Sequence, residues 1–302
     1  MNFVSNDSMV LTDKLREQFG AGLADSDSLR ADFTMDQPLH RYTEDDHQVW
    51  RDLYQRQMDV LQGRACDEFM VGLEGLGFDR GIPDFARINE FLAKKTGWQV
   101  VAVPGLVPDL VFFEHLANRR FPASWWMRTR EQMDYLQEPD GFHDVFGHVP
   151  LLADPIFANY MQEYGKGGVR AHEMGVLPNL ARIYWYTVEF GLIKTAQGLR
   201  IYGAGIVSSK GESIFCLESN SPHRIGFNVE RILRTKYRID TYQNTYFVLD
   251  SFDQLFKETT QDFEPFYKQL KTQSEFESYL TYEGDNVIHQ GDQSFYKAGI
   301  QI

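Results

Sequence analysis

The stretch Asp140-Gly-Phe-His-Asp-Val-Phe-Gly-His-Val-Pro150 sets two histidines five residues apart, beside a helix-breaking glycine and a proline. On an ideal α-helix a five-residue step leaves two side chains about 140° apart around the axis. His143 and His148 therefore share a face only if the helix ends between them, and Gly147 and Pro150 read as that ending. The spacing does not fit the i, i+4 pair of a His-Glu-x-x-His zinc helix. One carboxylate from elsewhere would complete a metal site. The candidate is Glu189, a nearly isolated acid in the helical run 179–193, with neither Arg182 nor Lys194 three or four residues away. Burying an unpaired carboxylate costs several kcal/mol or drives it neutral, and a bound cation removes that cost. Two imidazoles and one carboxylate with open positions form the facial triad of non-haem Fe(II) oxygenases. The same donors serve zinc hydrolases, and either histidine alone also reads as an ordinary core residue, so spacing by itself leaves these readings open.

Outward from this stretch, Thr43-Glu-Asp-Asp46 reads as a capping box opening a helix, with Val49, Trp50, Leu53, Tyr54, Met58 and Leu61 at helical spacing and Gly63 as its stop. Further helices are expected over 65–76, over 83–95 with Pro83 in its first position, and over 111–118. Asp154-Pro155 opens another, which is expected to run out in a flexible loop at Gly165-Lys-Gly-Gly168, and 253–270 forms the last. Strands are expected at 98–103, 199–206 and 245–249. The predicted fold is mainly α, an α+β chain with small β elements. A single catalytic domain occupies 35–272, preceded by a loose arm over 1–34 and followed by a polar tail over 273–302. That tail shows no sustained heptad, so a monomer or small homo-oligomer without coiled-coil tetramerisation is expected.

The 302 residues, 43% of them hydrophobic, can bury a sizeable core, and no 18-residue apolar run suits a membrane. No basic segment followed by an apolar stretch marks a secretory signal at the start. Cys66 and Cys216 are the only cysteines and do not form a metal-type pair, which suits a reducing cytoplasm. A formal charge of −13 without a basic cluster opposes nucleic acid as a partner.

The blocks Val103-Pro-Gly-Leu106, Phe112 to Phe121, Glu138-Pro-Asp140, His143 to Pro150, Ile183 to Gly191 and Tyr202 to Ser209 carry a resemblance over roughly residues 35 to 265. In their order and spacing they resemble the pterin-dependent aromatic amino acid hydroxylases, and within them the short bacterial members that act on phenylalanine. The resemblance implies one Fe(II) on His143, His148 and Glu189. It implies tetrahydrobiopterin, or a related tetrahydropterin, supplying two electrons so that O2 gives one atom to L-phenylalanine and yields L-tyrosine, with pterin-recycling enzymes as functional partners.

The same resemblance implies a pterin pocket lined by Gly105, Val107, Phe112, Ala181 and Tyr184, with Phe112 stacking on the ring and Asp144 approaching through water. Family members often have Glu where Asp144 stands, and Phe112 alone reads as core. Arg128 falls at the carboxylate-binding arginine, with Pro139, Trp185, Gly205, Ser208 and Ser209 completing the substrate pocket. Asp140 is expected to orient an imidazole from behind, a role compatible with a helix cap. Leu136 departs from the threonine of the animal phenylalanine enzymes. Ile239 stands near the place where the tyrosine enzymes carry an acid, which favours phenylalanine over tyrosine or tryptophan. The other readings are a zinc hydrolase and a non-catalytic pterin- or metal-binding protein.

Overall fold

Thr43 and Asp46 form the reciprocal cap: Thr43 Oγ1 accepts the Asp46 N–H at 3.2 Å, and the Asp46 carboxylate accepts the Thr43 N–H at 2.7 Å. The helix they open, Glu44–Leu61, buries Val49, Trp50, Leu53 and Leu61. Trp50 meets Phe142 edge-on at 5.1 Å, so this helix backs the segment that carries the histidines. The computed structural model describes residues 29–134, 136, 138–261, 263–270 and 273–298. Residues 1–28, most of the expected arm, lie outside them.

The third expected helix starts later than Pro83 suggests. It spans Phe85–Lys95, because the Asp84 carboxylate accepts the Ala86 N–H at 2.9 Å and a side-chain cap sets the start. Strands β1 (Gln99–Val103) and β2 (Arg120–Ser124) pair in parallel across the helix Asp109–Ala117. A second sheet holds β3 (Leu192–Thr195), β4 (Gly198–Ile201), β5 (His223–Gly226), β6 (Thr245–Leu249) and β7 (Val287–His289) in the order β4-β3-β6-β5-β7. The strand expected to reach residue 206 stops at Ile201, and the chain turns at Gly203 into the helix Ala204–Val207. A Cβ on Gly203 would stand 2.5 Å from the Gly191 nitrogen, so only glycine lets these segments meet. The expected helix 253–270 is two helices, Phe252–Thr259 and Glu264–Leu270.

Of residues 273–302, read as a polar tail, the described part 273–298 supplies β7 and a clasp. The buried Arg231 guanidinium pairs with Asp285 at 3.0 Å and lies over the rings of Phe276 and Tyr282, 4.7 Å from each centroid. A desolvated guanidinium is held by just such a carboxylate and aromatic faces.

The largest departure is at Gly165-Lys-Gly-Gly168. The helix Pro155–Glu173 runs through these residues without a loop. Each interior glycine costs a helix about 1 kcal/mol, and the packing opposite offsets it. A Cβ on Gly165 would lie 2.7 Å from the Leu116 carbonyl carbon, and one on Gly168 would enter the Phe113 ring. The two glycines therefore let this helix approach Asp109–Ala117 closely. Gly165→Ala is expected to destabilise the fold by about 1–3 kcal/mol through overpacking. A urea midpoint equal to that of wild type would show that the helices part freely.

Helices dominate and one continuous core runs from Val49 to Tyr267. The chain is mainly α with small sheets, in a single catalytic domain.

Candidate active site

The histidine stretch does not end its helix; it widens it. Residues Phe142–His148 form a π-helix, whose i→i+5 bonds bring residues five apart onto one side as an α-turn does for residues four apart. This corrects the break expected at Gly147. That glycine instead admits a neighbour, since a Cβ on it would stand 2.9 Å from the Ala204 carbonyl oxygen. A second π turn, Trp185–Glu189, continues the helix Leu177–Tyr184, and the Phe190 N–H reaches the Trp185 carbonyl at 2.9 Å. Two widened turns thus present the three candidate ligands to one another.

His148 Nε2 lies 3.3 Å from Glu189 Oε1, and His143 Nε2 lies 3.5 Å from Glu189 Oε2. The two Nε2 atoms are 3.4 Å apart. Burial pushes the Glu189 carboxyl pKa up, but the two facing imidazoles outweigh it and hold it at about 2. Burial lowers the His143 pKa, which favours the neutral, ligating form. His143 Nδ1 lies 2.9 Å from Ser208 Oγ, whose own hydrogen goes to the Ala204 carbonyl at 2.7 Å. Ser208 therefore accepts, Nδ1 carries the proton, and the Nε2 lone pair faces Glu189. Ligand atoms of His143, His148 and Glu189 lie within 4.8 Å of one another, and this set of two imidazoles and one carboxylate fits a divalent iron.

Packing fixes His148. Its ring lies against Phe121 at 4.8 Å and Tyr184 at 6.0 Å, and its Nδ1 has no hydrogen-bond partner among the described residues. Tyr184 in turn meets Phe112 edge-on at 5.6 Å. Two residues expected around a pterin thus stand together, Tyr184 against His148 and Phe112 against Tyr184, and Ala181 sits buried three residues before Tyr184 on its helix. Gly105 and Val107 lie between β1 and Asp109–Ala117, the helix that carries Phe112. Burial raises the Asp144 pKa, and one of its oxygens accepts the Ser124 N–H of β2 at 2.7 Å.

Asp140 differs from its expected role. Its Oδ1 accepts the His143 backbone N–H at 3.0 Å and Arg128 Nη2 at 2.8 Å. Its Oδ2 accepts Arg128 Nε at 2.8 Å and the Arg128 N–H at 3.0 Å. None of these bonds goes to an imidazole, so Asp140 orients His143 through its backbone and clamps Arg128. Burial raises the Asp140 pKa, yet Arg128 and the two backbone donors bring it below the ordinary carboxylate value. Arg128 Nη1 makes no hydrogen bond among the described residues, which leaves one edge of the fork for another carboxylate. Twelve residues separate the pair, and no short-range pattern announces it.

On the other side, Trp185 stacks on Tyr237 at 4.4 Å and gives its indole N–H to Gln243 Oε1 at 2.8 Å. Sequence reasoning missed both partners, which lie in a loop without periodicity. Trp185 and Gly205 meet at Phe190: the indole is 4.7 Å from that ring, and a Cβ on Gly205 would be 2.9 Å from it. Ser209 caps the helix Lys210–Glu218, and Ser208 holds His143. Pro139 and Leu136 are half-buried, Pro139 directly preceding Asp140, and Ile239 is 55% exposed.

Residues 24–284 match the family model described as biopterin-dependent aromatic amino acid hydroxylase. A phenylalanine-4-hydroxylase of Ralstonia nicotianae is 66% identical over 93% of this chain and 90% of its own. One of Chromobacterium violaceum is 60% identical over 87% of this chain and 89% of its own. The crystal structure of the Chromobacterium violaceum enzyme bound to cobalt is similar with a TM-score of 0.87 at 56% identity, covering 95% of this chain and all of that one. The iron- and phenylalanine-bound structure of the same enzyme has a TM-score of 0.85, covering 91% of this chain and 99% of that one.

Proposed function

The chain belongs to the biopterin-dependent aromatic amino acid hydroxylases, and from that premise we infer how its own residues run the reaction. It is a monooxygenase that converts L-phenylalanine to L-tyrosine with O2 and a tetrahydropterin at a non-haem Fe(II). The observation that carries this reading is the meeting of His143, His148 and Glu189 with the His143 tautomer set by Ser208. Iron and tetrahydropterin, when bound, supply the activation of O2 from which one oxygen atom enters the aromatic ring.

The protein supplies position and dryness. Phe112, Tyr184, Ala181, Gly105 and Val107 would hold the pterin ring, the first two as a pair of aromatic rings next to His148, and Asp144 would offer it a polar contact. Arg128 takes the amino acid carboxylate on Nη1, while Asp140 keeps the guanidinium plane fixed. Trp185, Pro139, Gly205 and Ser209 wall the substrate ring, so that it meets the iron in one orientation and water is kept out.

No helix among the described residues is long and apolar enough to cross a membrane. Two free buried cysteines support a reducing cytoplasm. There the enzyme works as a monomer or small homo-oligomer beside pterin-recycling enzymes.

Phe112→Ala tests the pterin side. An aromatic contact contributes about 0.5–1.5 kcal/mol beyond area burial, so the tetrahydropterin KM should rise roughly three- to tenfold at 1.4 kcal/mol per tenfold. Iron content should stay at the wild-type level. An unchanged pterin KM would make Phe112 core filler.

A further inference from the structure

Trp185 begins the π turn that ends in Glu189, so whatever fixes its indole also fixes a wall relative to the metal ligands. Gln243 lies against that indole, almost completely buried. Its amide nitrogen donates to the Arg238 carbonyl at 3.1 Å and lies 3.5 Å from the Thr241 carbonyl. The amide oxygen is thereby turned toward Trp185 Nε1, 2.8 Å away. The backbone of Gln243 is held from both ends as well. Its N–H donates to Glu212 Oε1 at 3.1 Å, and its carbonyl accepts the Tyr296 hydroxyl at 2.5 Å. Glu212 also accepts the Tyr246 hydroxyl at 2.7 Å and belongs to the helix that Ser209 caps. One residue thus joins Trp185, the Ser208–Ser209 segment and the C-terminal segment.

We propose that Gln243 is a positioning residue for phenylalanine hydroxylation, setting the indole of Trp185 and through it the wall against which the substrate ring rests. The proposal rests on Trp185 facing the substrate, as in the function given above. An indole N–H enclosed without its acceptor pays a desolvation penalty unless the ring turns. Stacking on Tyr237 holds one face of the ring but leaves sliding within the stack free. The Gln243 oxygen stops that sliding. Tyr296 extends the brace to the chain's last described helix, Ser294–Lys297, so the C-terminal segment contributes to the site without touching the substrate.

The test is Gln243→Leu on the iron-loaded full chain. The phenylalanine KM should rise about three- to tenfold, the range for one buried hydrogen bond, and less tyrosine should form per tetrahydropterin oxidised. The pterin KM and iron content should not move. A merely structural role is separated by a double-mutant cycle, because phenylalanine at 185 has no N–H. In a Trp185→Phe background, Gln243→Leu should change the phenylalanine KM by less than about twofold. Tyr296→Phe loosens the same brace from outside and should shift the phenylalanine KM in the same direction, which covers a Gln243→Leu protein that does not fold. An unchanged phenylalanine KM in folded Gln243→Leu, or in Tyr296→Phe where the first does not fold, overturns the proposal. So does an equal effect of Gln243→Leu in the two backgrounds. Wild-type protein in the same assay keeps the questions apart: no tyrosine from wild type overturns the function, and normal wild-type turnover with unaffected variants overturns the positioning role alone.

Discussion

Glu189→Ala is expected to leave a folded protein that binds iron at least 100-fold more weakly and has lost its hydroxylase activity to at least the same extent. The scale follows from what lies behind a metal, where losing a group that merely supports a ligand typically costs 10–100-fold. Glu189 is a ligand candidate itself, and no other carboxylate stands with His143 and His148 in a metal-sized cluster among the described residues. Its two oxygens face the two histidine Nε2 atoms separately, at 3.3 and 3.5 Å, so neither imidazole can substitute for it. Glu189→Gln keeps the shape and one neutral oxygen, and should fall between alanine and wild type in iron affinity. Iron content after dialysis and tyrosine formation are the two measurements. Full iron occupancy with full activity in Glu189→Ala would place the metal elsewhere.

Asp140→Ala is expected to be the most destabilising single change near the site, by about 3–5 kcal/mol, because it leaves the Arg128 guanidinium buried and unpaired. It also strips the cap from the His143 N–H, so iron affinity should fall with stability. The depressed pKa fixes the sign of the pH dependence. The stabilisation by Asp140 is full at neutral pH and is lost as pH falls through and below the usual carboxylate range. Replacing both partners by apolar residues of similar size, Asp140→Leu with Arg128→Met, should restore most of the stability, since a buried pair is often neutral against a packed apolar isostere. The same double variant should still bind phenylalanine poorly, having no guanidinium for its carboxylate. Urea midpoints for the two proteins, beside the phenylalanine KM of the double variant, decide it. An Asp140→Ala midpoint within about 0.5 kcal/mol of wild type would mean that Arg128 finds another partner or reaches water.

Local signals carried much of this fold. The reciprocal cap of Thr43 and Asp46 and the continuous aromatic and β-branched run Thr245–Leu249 are short-range patterns, and both elements lie where the sequence places them. The failures share a cause in tertiary contact. Gly165 and Gly168 look like a loop until the Asp109–Ala117 helix lies against them, and then they are the only residues that fit. Gly147 looks like a stop, yet the widened turn of Phe142–His148 carries the histidines past it. Hydrogen bonds of i→i+5 type leave no composition signature, so the five-residue spacing was the one visible trace of that turn.

The ligand triad was readable as a candidate from spacing and one isolated acid, and the family resemblance chose iron for it. Its support was less so. Ser208 fell in a matching block but under a substrate role, and its service to His143 needed the distance between them. The Arg128–Asp140 fork and the Gln243–Trp185 bond join residues 12 and 58 positions apart, and only the folded chain sets those pairs side by side.

The most direct test of the central claim is to strip the protein of metal, reload it with Fe(II) or with Zn(II), and measure tyrosine formed from phenylalanine with tetrahydropterin or with 2-oxoglutarate. The account predicts tyrosine from the iron protein with tetrahydropterin alone, because zinc has no redox chemistry to offer O2. Equal tyrosine formation from the zinc protein, or from the iron protein given 2-oxoglutarate and no pterin, would contradict it.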